Sequence, residues 1–238
     1  MNKSSSGIRF DAVDRVIAAT LAVLLIAACS KDSTSPTPVP VTIAIVSGAS
    51  QVATVSTQLS APVIVKVTDA VGNPVSGMAV TFAPASASGA VSSAQATTDA
   101  TGSAQVTWTL GTLAGTDSLM ITAGTLTPVA ALATALPDAP SAIAIVSGND
   151  QSAPVDSTLS GVLSVKVTDQ YGNVVPNAVV QWSDDAGGAL SATTTVTDSN
   201  GIAQVMYTLG PTAGTEDVVA TIMNVPTAIS TSFTEIGN

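Results

Sequence analysis

Residues 104–110 run Ala104-Gln105-Val106-Thr107-Trp108-Thr109-Leu110, alternating apolar and polar side chains without a break. Successive side chains of an extended chain point to opposite faces, so Ala104, Val106, Trp108 and Leu110 share one face and Gln105, Thr107 and Thr109 the other. The same phase returns a hundred residues on, with Ala203, Val205, Tyr207 and Leu209 on the apolar side. Val63, Val65 and Val67 repeat it against Lys66 and Thr68, and Val80 with Phe82, then Val180 with Trp182, add inward pairs. One-sided alternation over many short runs describes sheets with one wet and one dry face, which pair into a sandwich.

The runs belong to a duplicated unit with a period of about 100 residues. Ile43-Ala44-Ile45-Val46-Ser47-Gly48 recurs from Ile143 to Gly148 unchanged, and Val65-Lys66-Val67-Thr68-Asp69 recurs from Val165 to Asp169. After one deletion in the second copy, Thr98-Asp99 matches Thr197-Asp198, Leu110-Gly111 matches Leu209-Gly210 and Ala114-Gly115-Thr116 matches Ala213-Gly214-Thr215. Turn chemistry separates the runs. Residues 69–77 (DAVGNPVSG) and 169–177 (DQYGNVVPN) carry Asp, Gly-Asn and Pro where the chain must reverse. Asp99 with Gly102, and Asp198 with Gly201, mark tight turns in which Asp accepts backbone amides and Gly takes positive φ. About seven strands per unit predict an all-β chain of two tandem immunoglobulin-like β-sandwich domains, at 41–134 and 141–238, joined by a linker at 135–140. Antibody domains carry a Cys…Trp…Cys signature that is missing here, which leaves the core to aliphatic packing.

Ahead of the repeats, residues 16–28 (VIAATLAVLLIAA) form an apolar run of thirteen residues behind a short basic segment. A membrane-spanning helix needs about 20 apolar residues, so the run fits the core of a signal peptide at 1–28. It ends at Cys29, the single cysteine of the chain. Ile26-Ala27-Ala28-Cys29 resembles the lipobox of bacterial lipoproteins, which implies that Cys29 is lipidated and holds the protein to a membrane. Ser30 rather than Asp after the cysteine implies, by the same resemblance, outer-membrane sorting. An ordinary secretory signal with an incidental cysteine is the alternative. Residues 29–40, dense in Ser, Thr and Pro, predict a solvated tether.

The motif V-K-V-T-D-x-x-G-N-x-V, an apolar strand, then T-D-x-x-G-x-A-Q-V and A-G-T, is similar to the bacterial immunoglobulin-like repeats of the intimin/invasin group. The resemblance covers both units and implies a stalk-like module in a cell-envelope protein, acting as a spacer or an adhesion module. Proteins of that group join such repeats to a membrane β-barrel and a lectin-like tip; here a lipobox stands where the barrel would, so receptor binding does not carry over.

Composition narrows the chemistry further. The 238 residues include no His, 9% are charged and 3% aromatic. That excludes Ser-His-Asp and Cys-His catalysis, and no catalytic, cofactor or metal residue is predicted. Beyond residue 28 the chain holds Lys31, Lys66 and Lys166, fourteen acidic residues and no Arg. Such a surface cannot release counterions from nucleic acid or bind anionic lipid through a basic patch. Residues 137–238 carry ten acids against three in 41–136, and Asp184-Asp185 and Glu216-Asp217 belong to the second unit; solubility accounts for them, with a calcium site as the competing reading. Acidic loops offering one carboxylate each, at Asp69, Asp169, Asp99 and Asp198, are expected to cap turns. A carbohydrate-binding module is a further alternative, but Trp108, Trp182, Tyr207 and Phe82 fall on inward phases. Tyr171, in the Gly-Asn loop, is the aromatic placed to make contacts, and Lys66 and Lys166 are placed to discourage edge pairing.

Overall fold

The computed structural model describes residues 37–238, so the calls on 1–28, on Cys29 and on the first part of the tether lie outside the described residues. The first repeat contains β1 (Thr42–Ser47), β2 (Gln51–Thr54), β3 (Val63–Thr68), β4 (Ala79–Pro84), β5 (Ala90–Val91), β6 (Gln95–Thr97), β7 (Ser103–Val106), β8 (Trp108–Thr109), β9 (Gly115–Thr122) and β10 (Val129–Leu136). The second repeats the order as β11 (Ala142–Ser147), β12 (Ser152–Ala153), β13 (Leu163–Thr168), β14 (Val179–Asp184), β15 (Ala189–Leu190), β16 (Thr194–Val196), β17 (Ile202–Val205), β18 (Tyr207–Thr208), β19 (Gly214–Ile222) and β20 (Ile229–Gly237). Each repeat sets a three-stranded sheet, ordered β1-β3-β7 or β11-β13-β17, against a five-stranded one, ordered β2-β10-β9-β4-β6 or β12-β20-β19-β14-β16.

The inward phases read from the sequence are the buried ones. Val63, Val65 and Val67 have no exposed surface, and Trp108, Phe82, Trp182 and Tyr207 are at most 1% exposed. The core is therefore aromatic at its centre as well as aliphatic around it; Trp182 and Phe233 lie with ring centroids 6.0 Å apart and tilted by 38°.

The first strand of each repeat serves both sheets. β1 pairs antiparallel with β3, a bulge falls between Ile45 and Ser47, and the chain then crosses over so that β2 pairs in parallel with β10. The crossing needs Gly48, whose φ is +84° and whose missing Cβ leaves room for the carbonyl of Pro62. Gln51 clamps the crossover, its side-chain amide donating to Gly48 O (2.8 Å) and Ala61 O (2.9 Å) and its carbonyl accepting from Ala61 N. Gln151 does the same with Gly148 and Gly161.

β10 runs on through Ala135 and Leu136, two residues into the stretch read as linker. Both pair with β2, and Ala135 is buried on the inward phase set by Ala131 and Ala133. A strand of small residues continues as long as its neighbour supplies hydrogen bonds, whatever the composition beyond it.

Trp182→Ala is expected to destabilise the second domain by about 3–5 kcal/mol, and Phe233→Ala by a similar amount. Because the rings touch, the double variant should cost less than the two single costs added together, measured by urea unfolding followed by tyrosine and tryptophan fluorescence.

Candidate functional site at the junction of the repeats

The Asp-x-x-Gly-Asn loop follows the third strand of each repeat. Asp169 closes it on itself: Oδ1 accepts the amides of Tyr171 and Asn173, both at 2.9 Å, and Oδ2 accepts the Asn173 side-chain amide at 2.8 Å. Asp69 does the same with Val71 (2.9 Å), Asn73 (2.8 Å) and the Asn73 side chain (3.0 Å). Gly72 and Gly172, at φ +93° and +85°, supply the left-handed residue this loop requires.

In the second repeat the loop does more than close. The Asn173 side chain donates to Thr112 O at 2.8 Å and accepts from Ala114 N at 2.9 Å, so one amide group bonds both ways to the β8–β9 turn of the first repeat. Asp169 Oδ2 also accepts the amide of Asp138 in the connecting segment (2.9 Å), and Asp138 Oδ2 accepts the Gln170 side chain (2.7 Å). Asp169 is buried to 3% exposure as a result. That burial works to raise its pKa, but the bonds from the Asn173 side chain and from the amides of Asp138, Asn173 and Tyr171 outweigh it and hold the carboxyl below its usual value. Asp69, solvent-exposed and chiefly bonded by the Asn73 side chain, is also lowered.

The other repeated acids are turn caps. Asp99 Oδ1 accepts Thr101 N (2.8 Å), Ser103 N (3.0 Å) and the Thr101 hydroxyl; Asp198 Oδ1 accepts Asn200 N (2.8 Å) and Ile202 N (2.9 Å). The hollow lined by Ile64, Asp99 and Gln105 therefore offers a single carboxylate that its own turn already occupies. Among the described residues no three His, Cys, Asp or Glu side chains gather as a metal-holding group. Tyr171 lies on the loop, 39% exposed, and Lys66 and Lys166 sit in β3 and β13, central in their sheets rather than at an edge.

The acids of the second repeat divide in a way composition did not show. Glu216 and Glu235 are 1% and 0% exposed, so they do not act as surface charge. Glu216 corresponds to Asp117: Asp117 Oδ2 accepts Gly111 N at 2.8 Å, and Glu216 accepts Gly210 N at 3.0 Å. The longer acid also takes the Tyr207 hydroxyl at 2.6 Å, where the first repeat has Trp108 donating its ring N–H to Ser88 O. Burial, the Glu216 bond and the charge of Asp184 all push the Tyr207 hydroxyl upward in pKa. Glu235 stands where the first repeat has Ala133; its Oε2 accepts Gln151 N at 2.8 Å, and its buried Oε1 has no partner among the described residues. Burial pushes its carboxyl up to about 7, against the pull of the Gln151 amide and with the charge of Asp150 adding to the rise. The signal for it was present in the sequence, since Glu235 shares the inward phase of Phe233.

The fold thus binds a proton at Glu235 that the unfolded chain releases near pH 4.5. Its stabilising share is complete below that pH and lost as pH rises through about 7, so unfolding free energy should fall across this window. Glu235→Gln is expected to abolish the fall and to exceed the native chain in stability above about pH 8, checked by urea unfolding at a series of pH values. Asn173→Ala should cost about 1–2 kcal/mol in the second domain's stability while broadening the distance distribution between the repeats in small-angle scattering.

A family model described as "Bacterial Ig-like domain (group 1)" matches residues 145–234. No curated protein matches the chain. Among solved structures, InvD of Yersinia pseudotuberculosis is 19% identical with a TM-score of 0.55, covering 79% of this chain and 55% of its own. The Escherichia coli adhesin FdeC is 21% identical with a TM-score of 0.47, covering 82% and 64%. A domain pair of intimin, D0-D1, is 18% identical with a TM-score of 0.32, covering 83% and 98%. At such identities the likeness is one of fold, and the chain spans about half of InvD. The second repeat is a bacterial Ig-like domain of group 1, and with its duplicate it makes this chain a bacterial Ig-like repeat protein.

Proposed function

We propose that the chain is a non-enzymatic, lipid-anchored protein of the bacterial cell envelope whose tandem Ig-like domains hold an interaction surface away from the membrane. The observation that carries this reading is the junction. Asn173 bonds both ways across it and Asp138 is tied to Asp169 and Gln170, so the second domain is held against the first by side chains as well as by the linker. A spacer needs that restraint; a pair of independent binding modules on a slack linker does not. The carboxylates most exposed to a ligand are already committed to backbone amides, which leaves the spacer reading ahead of a calcium- or glycan-binding one. The lipobox-like sequence ending at Cys29 supplies the anchor, and adhesin names among proteins of like fold agree with a place in the envelope.

Growth with a labelled fatty acid tests the anchor: the native chain should take up label and Cys29→Ala should not. Protease treatment of the same intact cells should remove the second domain. An unlabelled native chain overturns the anchored reading, and a protected second domain overturns surface display in favour of a periplasmic role.

A further inference from the structure

The two repeats share one frame, so each position of the first has a control in the second. Their five-stranded sheets differ on the side turned away from the core. In the first repeat this side carries Val52, Met120, Leu132 and Leu136, exposed by 60%, 45%, 49% and 48%, with Ala130 between them. Pairing register aligns Val52 with Ser152, Ala130 with Ser232, Leu132 with Thr234 and Leu136 with Asn238. Met120 matches Val219, and a single exchange runs the other way, Thr134 to Ile236. Asp217 adds a charge to this face in the second repeat. The first repeat has none there: Asp69 and Asp99 lie in loops, Asp117 is buried and Lys66 belongs to the opposite sheet.

Two sandwiches of one ancestry and one solvent have no reason to differ in this way unless one face is covered. We propose that the outer face of the first domain's five-stranded sheet packs on the same face of a second copy of this chain. A flat sheet face free of charge is complementary to itself, and face-to-face sheet packing is the same physics as the core of each sandwich. The size suffices: β9 and β10 are eight residues long, so five strands make a face of about 500 Å², and two copies bury about 1,000 Å², the lower bound for a specific contact. A lipid surface is the weaker occupant, because the face has neither basic nor aromatic residues at its rim to hold a headgroup layer. A two-fold pair leaves both tethers free and does not depend on the anchor at Cys29.

The test is a photo-crosslinking residue at position 134, in the middle of the face, in the full chain expressed in its own envelope. Irradiation should give a product at twice the chain's mass containing only this protein, while the same residue at position 236 should give none. Replacing Val52→Ser, Leu132→Thr and Leu136→Asn installs residues the second repeat already folds with, and should cut the product about tenfold or more at unchanged thermal stability. Cys29→Ala should leave crosslinking intact if the chain remains in the envelope. A product with a different protein, an adduct with lipid alone, no product at 134, or a dimer that survives the triple variant each overturns the proposal.

Discussion

The carboxylate of Asp169 is the group on which the arrangement of the two domains depends. It draws three donors of its own loop inward, and in doing so it turns the Asn173 amide outward with a fixed donor and a fixed acceptor. Neither Thr112 O nor Ala114 N could be met by a side chain free to rotate without an entropic loss comparable to the bond itself. Closure of the loop thus precedes the junction in the order of causes: the acid shapes the loop, the loop orients the amide, and the amide holds the neighbouring domain.

The same frame accepts quite different buried chemistry. Where the first repeat has Trp108, Asp117 and Ala133, the second has Tyr207, Glu216 and Glu235. The first two exchanges compensate one another, since a phenol needs an acceptor and the longer acid reaches it while still capping Gly210. The third has no such partner. An alanine replaced by a buried acid raises the cost of ionisation, and the second repeat meets that cost by holding the proton up to about pH 7. Its acidity, which composition credits to the surface, is partly an internal property.

How much of this was legible in the sequence follows from the range of each interaction. The period of two at 104–110 and 203–209 gave every inward aromatic, because alternation is local and burial follows phase. The Asp caps were legible too, since their partners lie two and four residues away. Glu235 was legible by phase but hidden by composition, which counts acids without asking which way they point. The junction was not legible, for Asn173 meets its partners 59 and 61 residues back, and nothing in Asp-x-x-Gly-Asn distinguishes a loop that touches a neighbour from one that does not.

Comparison of the two loops shows what turns a cap into a junction. Asp69 and Asn73 hold the same internal bonds as Asp169 and Asn173, at distances that differ by 0.2 Å at most. The strand that follows the connecting segment is also docked alike, Val41 N to Thr68 O and Ser141 N to Thr168 O, both at 2.9 Å. The difference lies three residues earlier. Asp138 offers an N–H to the loop acid and a carboxylate to Gln170; its counterpart is Pro38, which has no N–H, and the counterpart of Gln170 is Ala70. The loop is therefore a general closure, present wherever the motif occurs, and the residues around it decide whether it also fastens one domain to the next. A connecting segment with an acid in that place binds the loop from behind while Asn173 binds the turn in front, so the acid is gripped from both sides and buried. Pro-Val-Pro at 38–40 permits the cap and withholds the fastening.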